Sequence, residues 1–235
     1  MKKKKNRVGV SENNKNLKLL KEKESDKYYL RNIINYKNNS DDQKLSNILK
    51  LNLIKGDVIL EIGCCDGKRL DQWRRCLGSR KIIGVDLSKK AINVGKKLYK
   101  KITFKNISSL EINKIKIKFD VIICGFFLYL LDREEIFNQF DLIYKKLRTN
   151  GHLIIEDFDP LFKHTNKSIH NKMLKSFKMS YSNFLEESGL FKMIHKTMND
   201  KFLKSIKNVK KFKSNDTSIT IYKKIDFSDA YPNNL

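Results

Sequence analysis

A doubly wound α/β domain with a mostly parallel sheet is the fold that this sequence predicts, and three observations carry it. Short runs of β-forming residues alternate with helical stretches between residues 57 and 157. The first run ends in an acid followed by small residues, Glu61-Ile62-Gly63-Cys64-Cys65-Asp66-Gly67. A second acid, Asp86, closes the next run. Strands alternating with helices at this spacing build a parallel sheet covered on both faces.

Taken in order, residues 1 to about 25 are charged, rich in Asn and carry almost no large apolar groups beyond Leu17, Leu19 and Leu20. They read as a mobile basic tail that folding does not need. Apolar residues recurring at three and four positions over 28–36 and 45–51 predict amphipathic helices that lead into a domain spanning 26–225. The first strand covers 57–62, and a helix follows over 68 to about 77. A strand at 81–86 and a helix at 88–100 come next, then strands at 102–106 and 119–125. Apolar residues at 136, 137, 140, 143, 144 and 147 define a helix over 133–147 that stops at Asn150-Gly151. The fifth strand is 152–157. Past Pro160 the segment 161–178 is polar and shows no periodicity. A short helix at 182–188, stopped by Gly189, precedes two β-like runs at 190–197 and 217–224. Between these runs Phe202, Leu203, Ile206, Val209 and Phe212 share a helical face, with Lys201, Lys204, Lys207 and Lys211 largely off it. Residues 226–235 read as a C-terminal tail.

With 235 residues the chain builds one full-sized core and not two. Its longest apolar run, 121–131, falls short of the roughly 20 residues that cross a bilayer, and no apolar segment follows the basic start, so neither a membrane partner nor export is expected. The four cysteines, Cys64, Cys65, Cys76 and Cys124, form no CxxC knuckle and have no histidines at metal-ligand spacing. A cytoplasmic protein with reduced thiols and no bound metal is the expectation. The net charge of +24 suits phosphate-bearing partners. Only eight of the 50 basic residues are Arg, however, and phosphate and base recognition lean on the bidentate guanidinium. A solvated Lys-rich surface is therefore preferred to nucleic-acid binding.

The stretch from Glu61 to Gly67 carries the most chemistry. A strand ending in an acid, small residues and then a helix let the backbone approach a ligand at the carboxyl edge of the sheet. The spacing is not that of a dinucleotide fingerprint, and no Lys-Ser/Thr follows as in a phosphate loop. A ligand with an amino-acid end and no phosphate fits better. Asp86, at the tip of the next strand, is placed to accept both hydroxyls of a ribose, with Leu87 against the base.

On these residues the chain resembles the class I S-adenosylmethionine-dependent methyltransferases, over roughly residues 45–224. The family motif of an acid followed by three spaced glycines maps onto Glu61, Gly63, Cys65 and Gly67, with Cys65 in place of a glycine. The resemblance implies a Rossmann-like, seven-stranded sheet closed by an antiparallel pair, with S-adenosylmethionine as cofactor. It implies that Asp86 holds the ribose and that Asn106-Ile107 meets the adenine. It also implies that Cys124-Gly125-Phe126 lines the methionyl pocket. A narrower resemblance, in Asp157-Phe158-Asp159-Pro160 and Tyr29-Leu30-Arg31-Asn32, is to methyltransferases found beside bacterial surface-sugar biosynthesis enzymes.

Methyl transfer from a sulfonium is an in-line displacement, so alignment and exclusion of water matter most. A base is needed only for a hydroxyl or a protonated amine. Tyr129, Asp157, Asp159 and His164 are the candidates at the acceptor side. Arg31 is a candidate partner for the cofactor carboxylate. Each has a plainer reading: core for Tyr129, turn caps for the aspartates, surface residues for His164 and Arg31. The acceptor expected is a small hydroxyl or amino compound, with a sugar derivative foremost. Methylation of RNA or another nucleic acid through the Lys-rich surface, and non-catalytic cofactor binding, are the alternatives.

Overall fold

The computed structural model describes residues 15–38, 53–198 and 216–231. The helix expected at 45–51, the basic helix between 201 and 213 and the chain ends lie outside them. Five strands run parallel: β1 (Val58–Ile62), β2 (Lys81–Val85), β3 (Ile102–Lys105), β4 (Phe119–Gly125) and β5 (Leu147–Phe158). Beyond a two-stranded hairpin, β6 (His164–Lys167) with β7 (Lys175–Lys178), the chain returns as β8 (Phe191–Met198) and β9 (Thr217–Lys224). The main sheet has seven strands in the order β3-β2-β1-β4-β5-β9-β8, with β9 antiparallel to both its neighbours. This mostly parallel sheet fits the Rossmann-like architecture expected.

Alternation along the strands divides the apolar residues between two cores. Leu60, Ile122, Leu153 and Tyr222 belong to one, which takes in Ile136, Phe140 and Ile143 of α5 (Ile136–Lys146) and Leu185 of α6 (Ser182–Glu186). Their neighbours Ile59, Val121, Ile154 and Ile221 belong to the other, with Leu70 and Trp73 of α3 (Lys68–Leu77) and Ile92 of α4 (Lys89–Leu98). Burying an aliphatic side chain contributes about 1.5–3 kcal/mol, so a sheet apolar on both faces is stable only when both are covered. The helix expected to stop at Asn150-Gly151 ends at Lys146, and Asn150-Gly151 lies at a bulge within β5. Phe119 pairs with Leu147 but Val121 pairs with His152, and Asn150 takes a positive φ of 58°.

Strand order reverses between β1 and β4, where β2 and β5 lie on opposite sides. In open α/β sheets that switch point leaves a crevice beyond the carboxyl ends. Here it is roofed by the segment expected to be a tail. From Lys15 onward that expectation is corrected: α1 (Lys15–Leu19), a π turn (Leu20–Glu24) and α2 (Ser25–Asn38) form a continuous helical run. Asn16 is 2% exposed. Its Nδ2 donates to the carbonyls of Leu130 (2.9 Å) and Lys175 (2.7 Å), and its Oδ1 accepts from Lys175 N (3.1 Å). The Asp132 carboxylate accepts from the backbone N–H of Asn16 and Leu17, satisfying donors that a helix start leaves open. Polar satisfaction, which composition does not register, is what seats this segment. The C-terminal residues are corrected likewise. Helix α7 (Phe227–Ala230) ends at Tyr231, whose hydroxyl donates to Ser188 O at 2.7 Å.

Replacing Asn16 with Ala leaves the Lys175 and Leu130 backbone groups without partners, a cost of about 1–3 kcal/mol. Hydrogen exchange should show faster exchange over residues 15–24 in Asn16→Ala, with strands β1 and β4 unchanged. Equal protection of 15–24 in both proteins would refute the seat.

Candidate functional site

The crevice at the switch point is a cavity of about 430 Å³, within the range of small-molecule sites. Its floor is built from the loops after four strands: Gly63–Asp66, Val85–Ser88, Ile107–Ser109 and Gly125–Phe127. Lys68, Arg69 and Gln72 of α3, the segment from Tyr129 to Asp132, and Phe158 complete the sides. Leu17, Leu20, Ser25, Tyr28, Tyr29 and Asn32 form the roof.

Asp86 organises the floor. Its Oδ2 accepts from Cys65 N at 2.9 Å and its Oδ1 from Ser88 N at 2.7 Å, which locks the β1 and β2 loops together. Burial raises its carboxyl pKa above the ordinary value, and the N–H groups of Ser88, Cys65 and Leu87 oppose that. Each carboxylate oxygen has a second lone pair available for a ligand hydroxyl. Gly63 has φ 76°, and a Cβ there would lie 3.0 Å from Phe127 Cβ and 3.1 Å from Gly125 O. Two non-glycine residues with positive φ also line the cavity, Cys65 (53°) and Phe126 (51°). Such strain gathers at functional sites.

Several expected cofactor residues act differently from expectation. Glu61 is fully buried and does not line the cavity; it is held by Arg69, with Nε and Nη2 both 2.6 Å from its Oε1. The burial that raises its pKa is opposed chiefly by the Arg69 charge. Arg69 also pairs with Glu156 at 2.9 Å, and its guanidinium lies against Gly125, where a Cβ would fall 1.5 Å from Nη2. Arg69 is thus the guanidinium of the site. Arg31 pairs with Glu24 at 2.7 Å and is absent from the lining, which corrects its assignment. Nothing in the sequence separated the two, because the choice turns on which helix face meets the crevice.

Gly67, with φ 86°, starts α3 and packs on Phe104 rather than on the cavity. Asn106 does not line the cavity. Its Nδ2 donates to the carbonyls of Asp86 and Leu87, both at 2.9 Å, and only an NH2 satisfies two carbonyls. Leu87, Ile107, Gly125 and Phe126 line the cavity. Cys124 is buried in the core, its thiol pKa pushed up by burial, and lines nothing.

Among the acceptor-side candidates only Tyr129 faces the cavity. Its hydroxyl lies 3.2 Å from that of Tyr28, and its ring stands edge-on to Phe158 at 4.9 Å. Asp159 is tied to Lys196 at 2.6 Å, on β8. His164 opens the β6–β7 hairpin, its Nδ1 3.0 Å from Phe162 O. Asp157 is 2% exposed, accepting from Tyr129 N (3.3 Å) and Phe158 N (2.7 Å). It supports the cavity wall and does not touch the cavity.

Burial pushes the Asp157 carboxyl up to about 7. Its unfolded value is about 3.9, so between about pH 4 and pH 7 the folded state holds the extra proton. The stabilising contribution is therefore complete below about pH 4 and lost as pH rises through 7. In thermal melts, Asp157→Asn should gain on the wild type as pH rises from about 5 to 8. Parallel pH profiles for the two proteins would disprove this titration.

Known proteins share this frame. A family model described as a methyltransferase domain matches residues 53–209. The 1,6-didemethyltoxoflavin-N1-methyltransferase of Burkholderia thailandensis, solved with 1,6-didemethyltoxoflavin and S-adenosylhomocysteine, superposes with a TM-score of 0.64 at 14% identity, covering 88% of each chain. The N-methyltransferase NodS of Bradyrhizobium japonicum, in complex with S-adenosylhomocysteine, superposes at 0.54 and 15% identity over 80% of this chain and 90% of its own. Protein 235L of Invertebrate iridescent virus 6, provisionally named a methyltransferase, is 26% identical over 118 residues. That match spans 48% of this chain and 44% of the viral protein. The chain belongs to the methyltransferase-domain family.

Proposed function

We propose that this methyltransferase-domain protein transfers the methyl group of S-adenosylmethionine to a small acceptor bearing a hydroxyl or amino group. The observation that carries the cofactor reading is Asp86, whose two carboxylate oxygens are fixed by backbone N–H groups at the floor of the switch-point cavity. The donor set fits the cofactor along its length. Asp86 suits the ribose hydroxyls, and Leu87 and Ile107 supply apolar surface for the adenine. Arg69, which lines the cavity and is held in place by Glu61 and Glu156, suits the carboxylate of the methionyl part. When bound, S-adenosylmethionine supplies an electrophilic methyl group on a sulfonium.

The chain's own residues then have to align an acceptor with that methyl and keep water out. Tyr28, Phe126, Tyr129 and Phe158 bring aromatic faces and two phenolic hydroxyls to one side of the cavity. A small ring compound fits there, its C–H or π face against the rings and its nucleophilic hydroxyl or amino group near the phenols. A sugar derivative meets that description. The Tyr129 and Tyr28 hydroxyls are placed to hydrogen-bond the nucleophilic group and orient its lone pair toward the methyl, and the proton released on transfer leaves to solvent. The alternative of RNA as acceptor draws on the net charge of +24.

Calorimetry with S-adenosylmethionine should give micromolar-range binding that Asp86→Ala weakens by about 1–3 kcal/mol, through loss of two charge-assisted hydrogen bonds. Unchanged affinity in that variant would remove the ribose assignment. A methyl-transfer screen against sugar derivatives, small amines and RNA, run at two salt concentrations, tests the acceptor. Turnover that falls steeply with salt and occurs on RNA alone would transfer the reading to nucleic acid. For a small acceptor, Tyr129→Phe should lower turnover and leave cofactor affinity near the wild-type value.

A further inference from the structure

The hairpin β6–β7 displays apolar groups that the fold does not use. Residues 161–178 contain five lysines and two histidines and no acid. Lys167 and Lys175 face each other as direct partners in the ladder, and both are exposed. Like charges directly opposed destabilise a strand pair, so an anion placed there would relieve them. Lys163, Lys167, Lys172 and Lys175 take part in no ion pair among the described residues. The acid that approaches the turn, Glu24, accepts from Asn171 Nδ2 at 3.4 Å and is already matched by Arg31.

The turn itself is built. Ser168 N donates to Leu174 O at 2.9 Å, Ser168 Oγ accepts from the N–H groups of His170 and Asn171, and Leu174 N donates to Asn171 O at 2.9 Å. Leu174 is 3% exposed and anchors the turn, whereas Ile169 is 89% exposed and Met173 71%. A fixed turn that holds one apolar residue inward and two outward, ringed by lysines, has the composition of a surface that enters the headgroup and acyl boundary of a membrane.

We propose that the tip of this hairpin docks on an anionic lipid surface, with Ile169 and Met173 entering the acyl boundary and Lys167, Lys172 and Lys175 meeting the headgroup phosphates. Residues 163–176 include no Arg and no Phe, Tyr or Trp, which leaves His164 and His170 as their only groups that stack on bases, and exposed aliphatic side chains gain nothing from a nucleic-acid backbone. No helix among the described residues is long and apolar enough to cross a membrane, so the contact is peripheral. The surface is separate from the cofactor site, because none of residues 161–178 lines the cavity.

The test is co-sedimentation of the full chain with phosphatidylcholine vesicles and with vesicles of equal parts phosphatidylcholine and phosphatidylglycerol. The wild type should bind the anionic vesicles and not the neutral ones. The double substitution Ile169→Asn with Met173→Asn should weaken that binding by about tenfold or more, and Lys167→Gln with Lys172→Gln should weaken it too. Melting temperature and S-adenosylmethionine affinity should stay at wild-type values. Placed at the tip, Ile169→Trp should shift its emission to the blue on anionic vesicles, against the constant background of buried Trp73. Failure of the wild type to bind anionic vesicles would overturn the proposal. So would vesicle binding insensitive to the apolar double substitution, or an Ile169→Trp emission that does not move. Binding of an RNA oligonucleotide that depends equally on Ile169 and Met173 would overturn it in favour of nucleic acid.

Discussion

A carboxylate with no exposure, Glu61 at the end of β1, must be neutralised by a neighbour, and most of the site follows from how Arg69 does it. A lone ionised acid in a low-dielectric interior is costly enough to unfold a domain of ordinary stability. Arg69 reaches Glu61 from the first turn of α3, so the chain between them has to turn sharply, and the positive φ values of Gly63, Cys65 and Gly67 are how it turns. The same guanidinium extends to Glu156 on β5 and lies across the backbone of Gly125, which leaves no room for a side chain there. One ion-pair cluster thereby joins β1, β4 and β5 at their carboxyl ends and puts a guanidinium on the cavity wall.

Two residues of the cavity hold conformations that side chains disfavour. Cys65 and Phe126 sit at positive φ, where a glycine would be relaxed. At Cys65 the conformation aims the backbone N–H at Asp86, and at Phe126 the N–H donates to Glu156 O at 2.8 Å while the ring faces the cavity. In both, a hydrogen bond to a fixed acceptor offsets the strain. Backbone approach and an apolar lining are obtained together, which glycine alone could not supply.

The sheet was legible because its signals are local. β1 and β2 begin and end within a residue or so of expectation, since β-branched runs between glycines and acids need no distant partner to be recognised. Asp86 was legible for the same reason, as an acid at a strand tip one turn away from a small-residue loop. The roof was not. Asn16 is polar, lies in a charged stretch and is buried only because Leu130 and Lys175, more than a hundred positions away, offer backbone groups to it. Asp157 and Asp159 looked like acceptor-side acids from their place after β5. Burial turned the first inward and Lys196 claimed the second. Cys124 failed differently: strand alternation at the end of β4 points it into the core, and that parity was readable, but the motif comparison outweighed it.

Floor and roof of the cavity therefore rest on different physics. The floor hangs on strands whose apolar residues are buried on both faces, so it opens only when the sheet does. The roof adds Leu17, Leu20, Tyr28 and Tyr29 to the same cavity but is seated at its start by the hydrogen bonds of Asn16 and Asp132. Each such bond contributes a net of about 0.5–1.5 kcal/mol, because water competes for the same groups when the helix lifts. Segments held in this way open at lower free energy than a core strand. A ligand buried between the two surfaces would add its own contacts to the roof, so its binding and the seating of α1 reinforce each other. The tyrosines placed nearest the acceptor side, Tyr28 on the roof and Tyr129 on the side wall, meet with the roof seated in this way, their hydroxyls 3.2 Å apart.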